Sequence, residues 1–338
     1  MGVSILARFD SGVPLLEVMI NRKGPFRFLV DTGLRRTFID DDVAKRLSLP
    51  SAGTIDVNER RLLARGNVAT VKIGSLALGD ALFSDLDVPV IDFAAELGAY
   101  RKIDGVLGLA TFADCLLAMD YIRGRVAVGP QQVPQADGRE ILDYRLRDGL
   151  ATIPLTVGGR TVDAIIETGL PGALRLANSF KEKVDLAEKP LGRIGARLLC
   201  DVDPDVDVLK ETVRFGAHEL VQCMVEYQPG TVSIGHEVLK HFVVSLDQKN
   251  RRARFTHYGS GPVRILPRSR YGLTLTRGAG VFKVVRVDPG SPADDRGLAA
   301  GDEIRLFEKR RPSQIRDAEI VAKLREADSL FLTLKRGR

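Results

Sequence analysis

Phe28-Leu29-Val30-Asp31-Thr32-Gly33 returns later in the chain as Ile165-Ile166-Glu167-Thr168-Gly169, and this pair of stretches decides how the sequence is organised. In each copy an apolar run predicts a buried strand. The acid, threonine and glycine that follow carry a carboxylate to the edge of a sheet, where glycine lets the backbone turn tightly. The likeness extends downstream. Ile103-Asp104-Gly105-Val106-Leu107-Gly108 leads through an apolar run to Asp120, and Val232-Ser233-Ile234-Gly235 leads through Phe242-Val243-Val244 to Asp247, each glycine preceding its aspartate by twelve residues. A basic turn and another strand follow in both copies, Arg125 to Val128 and Arg252 to Phe255. The acids lie 136 residues apart and the glycine anchors 127 apart, so the second copy is nine residues shorter between those points.

With Gly33 and Gly108 separated by 75 residues, this pattern resembles the retropepsin-like aspartic proteases, present as two fused lobes over roughly residues 4 to 258. The remainder resembles a PDZ domain, so the whole chain resembles the bacterial aspartyl proteases that carry such a module at the C-terminus. The resemblance implies a mainly β fold: two pepsin- or retropepsin-like β-barrel lobes in pseudo-twofold arrangement, plus an α+β PDZ domain. The expected boundaries are lobe one at 1–128, an inter-lobe linker at 129–147, lobe two at 148–258 and the PDZ domain at 259–338. It also implies a peptidase that needs neither metal nor organic cofactor. Asp31 and Glu167 would be the catalytic pair, sharing one proton because two adjacent carboxylates cannot both stay ionised. Thr32 and Thr168 would lock the two loops by hydrogen bonds, and Gly33 and Gly169 would permit their close approach.

Three positions depart from the family pattern. Glu167 stands where a second aspartate is expected, and its extra methylene shifts the carboxyl by about 1 Å, enough to cost on the order of 100-fold in rate. Leu34 and the Arg35-Arg36 pair follow the first Asp-Thr-Gly where a small residue usual to the family would stand, and Val232 stands where the first copy has Gly105. Two functions therefore stay open. One is an aspartic endopeptidase whose PDZ module recruits a protein substrate. The other is a catalytically impaired pseudoprotease that binds peptides as an adaptor or regulator. Position 167 separates them: reach toward Asp31 favours the enzyme, pairing with an arginine favours the scaffold. A structural protein with an accidental repeat is a distant third.

In the last module, Tyr271-Gly272-Leu273-Thr274-Leu275 is the candidate peptide-binding segment, with Gly272 to Leu275 as the carboxylate loop. A strand at Val281–Val287, the turn Asp288-Pro289-Gly290-Ser291-Pro292-Ala293 and the run Gly297-Leu298-Ala299-Ala300-Gly301-Asp302-Glu303-Ile304 follow, then an amphipathic helix at Ser313–Arg325 and a closing strand at Leu330–Lys335. Such modules add a peptide strand to a sheet edge and hold its terminal carboxylate on backbone N–H groups. Elsewhere, Asp40, Asp41 and Asp42 predict the acidic first turn of a short helix. The polar stretch Thr54 to Val71 predicts a hairpin where the family has a substrate-covering flap. The turn-rich Gly129 to Gly138 reads as a linker, as does Tyr258 to Pro262.

Composition narrows the field. No apolar run reaches 18 residues, so no membrane span is expected. Of the charged residues, 17 Lys/Arg against 10 Asp/Glu fall from position 262 onward, which places the net charge of +6 in the last module. Aromatic content of 6% without tryptophan, and no nucleic-acid-binding motif, argue against a nucleic-acid partner. Cys115, Cys200 and Cys223 share no ligand spacing and read as free thiols. His236 and His241 are five apart and miss a shared helical face, which argues against zinc. As the sequence stands the expectation is a cytoplasmic chain, or a periplasmic one if a leader was removed. Two lobes in one chain already supply both acids, so a monomer suffices for catalysis.

Overall fold

The computed structural model describes residues 2–9, 13–59, 66–93, 103–186, 206–265, 271–278, 280–287, 291–316, 319–320, 323–324 and 329–335. The chain is mainly β, with barrel-like sheets. Cys200, Arg60-Arg61 and the Asp288-Pro289-Gly290 turn lie outside the described residues.

The same strand pairing occurs twice. Leu15–Ile20 pairs antiparallel with Lys23–Asp31, which pairs parallel with Gly105–Gly108. That strand pairs antiparallel with Phe38–Asp40, which pairs parallel with Ala81–Ile91. In the second half Leu150–Val157, Arg160–Ile166, Val232–Ile234, Leu174–Ala177 and Met224–Gln228 repeat that order and those directions. The central strands of both copies are buried on both faces, as continuous Val/Ile/Leu runs require.

Packing explains why one anchor opens with glycine and the other with valine. Gly105 lies opposite Phe28, and a Cβ added there would stand 2.2 Å from the Phe28 ring. Val232 lies opposite Ala164 instead. Large faces small in one copy and small faces large in the other, so the pair volume is kept. The second glycine of each anchor serves close backbone approach. A Cβ on Gly108 would meet the Arg36 carbonyl oxygen at 2.2 Å, and one on Gly235 the Gly172 carbonyl oxygen at 2.4 Å.

A six-stranded sheet joins the halves in the order Val3–Leu6, Arg125–Gly129, Leu116–Asp120, Phe242–Asp247, Arg252–His257, Ile141–Asp143. At its centre Ala118 pairs with Ser245, 127 residues on, the same offset that separates the glycine anchors. A strand thus pairs antiparallel with its own repeat copy. Within the stretch expected as a linker, Ile141–Asp143 joins this sheet and Arg145–Arg147 pairs with Leu150–Val157.

Local expectations are met where the described residues reach. Asp40 caps the helix Asp41–Arg46 by accepting from Asp42 N at 3.0 Å, with Asp41 and Asp42 in the first turn. The expected hairpin is Ser51–Val57 paired with Gly66–Leu78, its tip at 60–65 outside the described residues. A four-stranded sheet near the end runs Leu273–Arg277, Phe282–Val287, Glu303–Phe307, Leu332–Lys335 over a core of Leu273, Phe282, Val284, Ile304 and Phe307. Glu319, Ile320, Lys323 and Leu324 are helical. Val263–Arg264 instead pairs parallel with His218–Val221 of the second half. Among the described residues, no helix is long and apolar enough to cross a membrane.

Candidate active site

The strand Lys23–Asp31 ends at Asp31 and the strand Arg160–Ile166 ends one residue before Glu167, so both acids leave parallel-paired central strands at the same edge. Asp31, Thr32, Glu167 and Thr168 are all fully buried. Four hydrogen bonds tie the loops together. Thr32 N donates to Thr168 Oγ1 at 3.0 Å, and Thr168 N donates to Thr32 Oγ1 at 3.1 Å. Each hydroxyl then donates across to the strand that feeds the other loop, Thr32 Oγ1 to Ile166 O at 2.6 Å and Thr168 Oγ1 to Val30 O at 2.7 Å. A hydroxyl is needed at both positions because each must accept and donate at once.

The two glycines serve this junction in different ways. Gly33 N donates to Asp31 Oδ1 at 2.8 Å and fixes that carboxyl. A Cβ on Gly169 would stand 2.1 Å from Asp31 Cγ and Oδ2, so the Asp31 carboxyl rests directly against the second loop. All six residues singled out around the repeat therefore meet in one place. Leu273 to Leu275 lie in the strand Leu273–Arg277 of the four-stranded sheet, with Tyr271 and Gly272 just before it; Gly272 has φ +63°, a conformation glycine tolerates, and the strand pairs on one side with Phe282–Val287.

The acids are not held alike. Glu167 Oε1 accepts from Arg175 Nη1 at 3.2 Å, a buried ion pair. Arg175 is gripped more closely by Glu226, whose Oε1 lies 2.7 Å from Nε and 2.6 Å from Nη2. Comparing the two halves shows what stands at the Arg175 position in the first copy. Phe38 pairs with Val106, and Arg175 pairs with Ser233, the residue 127 positions beyond Val106. Glu226 faces Arg175 across the parallel pair, where Pro89 precedes the corresponding Ile39–Val90 step. Where the first half has apolar Phe38, Val106 and Pro89, the second has Arg175, Ser233 and Glu226. Arg175 and Glu226 went unnoticed in the sequence, although aligning the repeats would have set a charged pair against an apolar one.

A cleft of about 1330 Å³ is lined by Gly33, Arg35 and Glu59 and by Tyr144, Thr152 and Ile165; neither Asp31 nor Glu167 is among its lining residues. The Glu59 carboxylate accepts the backbone N–H groups of Arg35 and Arg36 and faces both guanidiniums. Burial nevertheless outweighs these contacts and raises its pKa. Desolvation first, then Arg35, lowers that of Arg36.

The matching region coincides with the half that presents Asp31. Residues 16–111 match the aspartyl protease family model. The aspartyl protease match covers the hairpin, the Asp-Thr-Gly loop and the first glycine anchor, and it ends before Glu167. It supports a peptidase hydrolase. No curated protein matches the chain.

Proposed function

We propose that the chain is an aspartic endopeptidase built from two retropepsin-like lobes, residues 1–128 and 148–258, joined through 129–147. The observation that carries this reading is the reciprocal bonding of Thr32 and Thr168, which seats the Asp31 carboxyl against Gly169. An approximate twofold axis is supported by two self-pairings at the repeat offsets, Thr32 with Thr168 and Ala118 with Ser245. In this reading Asp31 and Glu167 activate a water for attack on a peptide carbonyl, and no cofactor takes part. Ser51–Val57 and Gly66–Leu78 form the flap, with Glu59 tying it to the loop after Gly33.

Residues 259–338 are read as a PDZ domain of bacterial type. Leu273–Arg277 has one strand neighbour among the described residues, an edge suited to adding a peptide strand, and Gly272 to Leu275 would receive its terminal carboxylate. Its ligand would be a protein C-terminus, either the substrate's own or a regulator's. Neither nucleic acid nor a second copy of the chain is required.

The second reading, a peptide-binding pseudoprotease, is favoured by one observation, the ion pair between Glu167 and Arg175. Cleavage of an unstructured protein between about pH 4 and 7 separates the two. Loss of turnover in Asp31→Asn establishes the peptidase. Absence of turnover in the wild type, with binding of the same peptides retained, establishes the scaffold.

A further inference from the structure

The last module presents an aromatic ring to solvent beside its basic residues. Phe331, one residue before the strand Leu332–Lys335, is 62% exposed. A lone exposed apolar side chain is ordinary on a protein surface. This one is held in place by the turn next to it. Glu308 N donates to Phe331 O at 2.8 Å, and Phe331 N donates to Glu308 Oε1 at 2.8 Å. Glu308 and Lys309 form a two-residue turn between Phe307 and Arg310, which bond each other through N and O at 2.9 and 3.0 Å. Their φ values, +53° and +62°, lie in the left-handed region, where such turns favour Asn and Gly, yet charged residues stand at both positions. In the run Glu308-Lys309-Arg310-Arg311 the one carboxylate turns back to the Phe331 N–H, while Lys309, Arg310 and Arg311 are exposed. Lys309 Nζ lies 5.8 Å from the centroid of the Phe331 ring. Two helical residues also face this tip: Lys323 comes within 4.0 Å of Glu308, and Glu319 within 3.6 Å of Arg310. Four cations and two acids therefore gather around the ring, in the module that carries the excess positive charge.

We propose that the tip formed by Lys309, Arg310, Arg311 and Phe331 docks the chain on the surface of an anionic phospholipid bilayer. Cations within a Debye length of such a surface gain from its negative potential. An exposed ring beside them can enter the boundary between headgroups and acyl chains, so charge and ring act on the same surface. An acidic polypeptide would meet the charges but gives the ring no role. A nucleic-acid base would have to stack where the Lys309 ammonium already lies over the ring. Docking of this kind is peripheral and needs no membrane span. Leu332–Lys335 and Leu273–Arg277 are the two ends of the four-stranded sheet, so docking at one does not compete with a peptide strand added at the other. The proposal stands apart from the peptidase reading, because none of its residues belongs to the acid loops or the cleft.

The test is co-sedimentation of the full chain with vesicles of phosphatidylcholine and phosphatidylglycerol in equal parts, against vesicles of phosphatidylcholine alone. The chain should pellet with the first and not with the second, and should be released in about 1 M salt, where the Debye length falls to about 3 Å. Lys309→Ala combined with Arg311→Ala should weaken binding by about 25-fold, about fivefold for each cation removed. Phe331→Ser should weaken it by about tenfold. All three positions are exposed, so the circular dichroism of these variants should match the wild type. The chain has no tryptophan, and Phe331→Trp therefore supplies a single reporter at the tip. Its emission should move to shorter wavelength with the anionic vesicles and stay unmoved with the neutral ones. Equal binding to neutral vesicles, sedimentation that neither set of substitutions weakens, or an unmoved emission while the chain pellets with vesicles overturns the proposal. So does retention on polyglutamate that matches the vesicles and ignores Phe331→Ser, a result that would make the tip a site for an acidic protein.

Discussion

Thr32→Val keeps the shape of the side chain and removes only the hydroxyl at the junction of the two acid loops. The loss is specific. Ile166 O no longer receives its 2.6 Å donor, and Thr168 N no longer finds its 3.1 Å acceptor. Both groups sit where water does not reach, since Thr32, Ile166 and Thr168 are fully buried. A buried polar group left without a partner costs about 1–3 kcal/mol, so the substitution should destabilise the chain by about 2–6 kcal/mol. Set against a typical total of about 5–15 kcal/mol, that is a large share. Thr168→Val orphans the symmetric pair, Val30 O and Thr32 N, and should cost a similar amount. Thr156→Val serves as the control, because its partner Thr161 is exposed, and should stay within about 0.5 kcal/mol. The chain has no tryptophan, so urea unfolding is best followed by far-ultraviolet circular dichroism. If Thr32→Val costs no more than the control, the hydroxyls do not hold the loops together and the seating of Asp31 needs another cause.

Three further outcomes are expected. Gly169→Ala places a methyl 2.1 Å from Asp31 Cγ, so it should abolish any Asp31-dependent turnover while the urea midpoint of the four-stranded module is unchanged; wild-type turnover in this variant contradicts the seating described above. Burial raises the Glu59 pKa where the hairpin meets the loop after Gly33, so that contact binds a proton more tightly than the released hairpin does and should strengthen as pH falls through the raised value. Hydrogen exchange at the Arg35 and Arg36 amides, corrected for intrinsic rates, should slow toward acid pH in the wild type and lose that dependence in Glu59→Gln; the opposite trend refutes it. His218 packs among Phe215, Phe242 and Phe255 with its pKa lowered by burial and then by His257, despite the opposing fields of Glu140 and Asp137. The unfolded chain therefore takes up the proton first, and stability should fall as pH drops through about 6.5 and level off below the lowered folded value. His218→Phe should flatten that slope in denaturation midpoints.

The repeat was legible because it is written in residues whose roles are local. An acid, a threonine and a glycine after an apolar strand announce a loop at a sheet edge, and the structure brings Asp31, Thr32, Gly33, Glu167, Thr168 and Gly169 to one junction. The acidic start of the helix Asp41–Arg46 and a hairpin within Thr54 to Val71 were legible for the same reason, although Asp40 proves to be the cap rather than part of the first turn. Long-range pairing was not. The exchange of Phe28–Gly105 for Ala164–Val232 is visible only once the register aligns the partners, so Val232 looked like a defect in the sequence and is a compensated packing pair in the fold. Arg175 and Glu226 lie 51 residues apart and carry no motif; a parallel strand pair alone sets them side by side. Ile141–Asp143 drew its place in the joining sheet from Arg252–His257 rather than from its own composition.

The six-stranded sheet, with one strand paired to its own repeat copy, has a consequence for how a peptide is read. In an assembly of two identical chains each substitution appears twice, once on each side of the axis, and a peptide lying across the site meets the same surface whichever way it runs. Here the halves are continuous in one chain, so Phe38 can stand in one half and Arg175 in the other. Arg145–Arg147, an exposed strand at the rim of the cleft, likewise stands on one side. Under the peptidase reading, a bound peptide would therefore have a head and a tail, because Gly33, Arg35 and Glu59 of the first half and Arg145 and Arg147 line the cleft unlike one another.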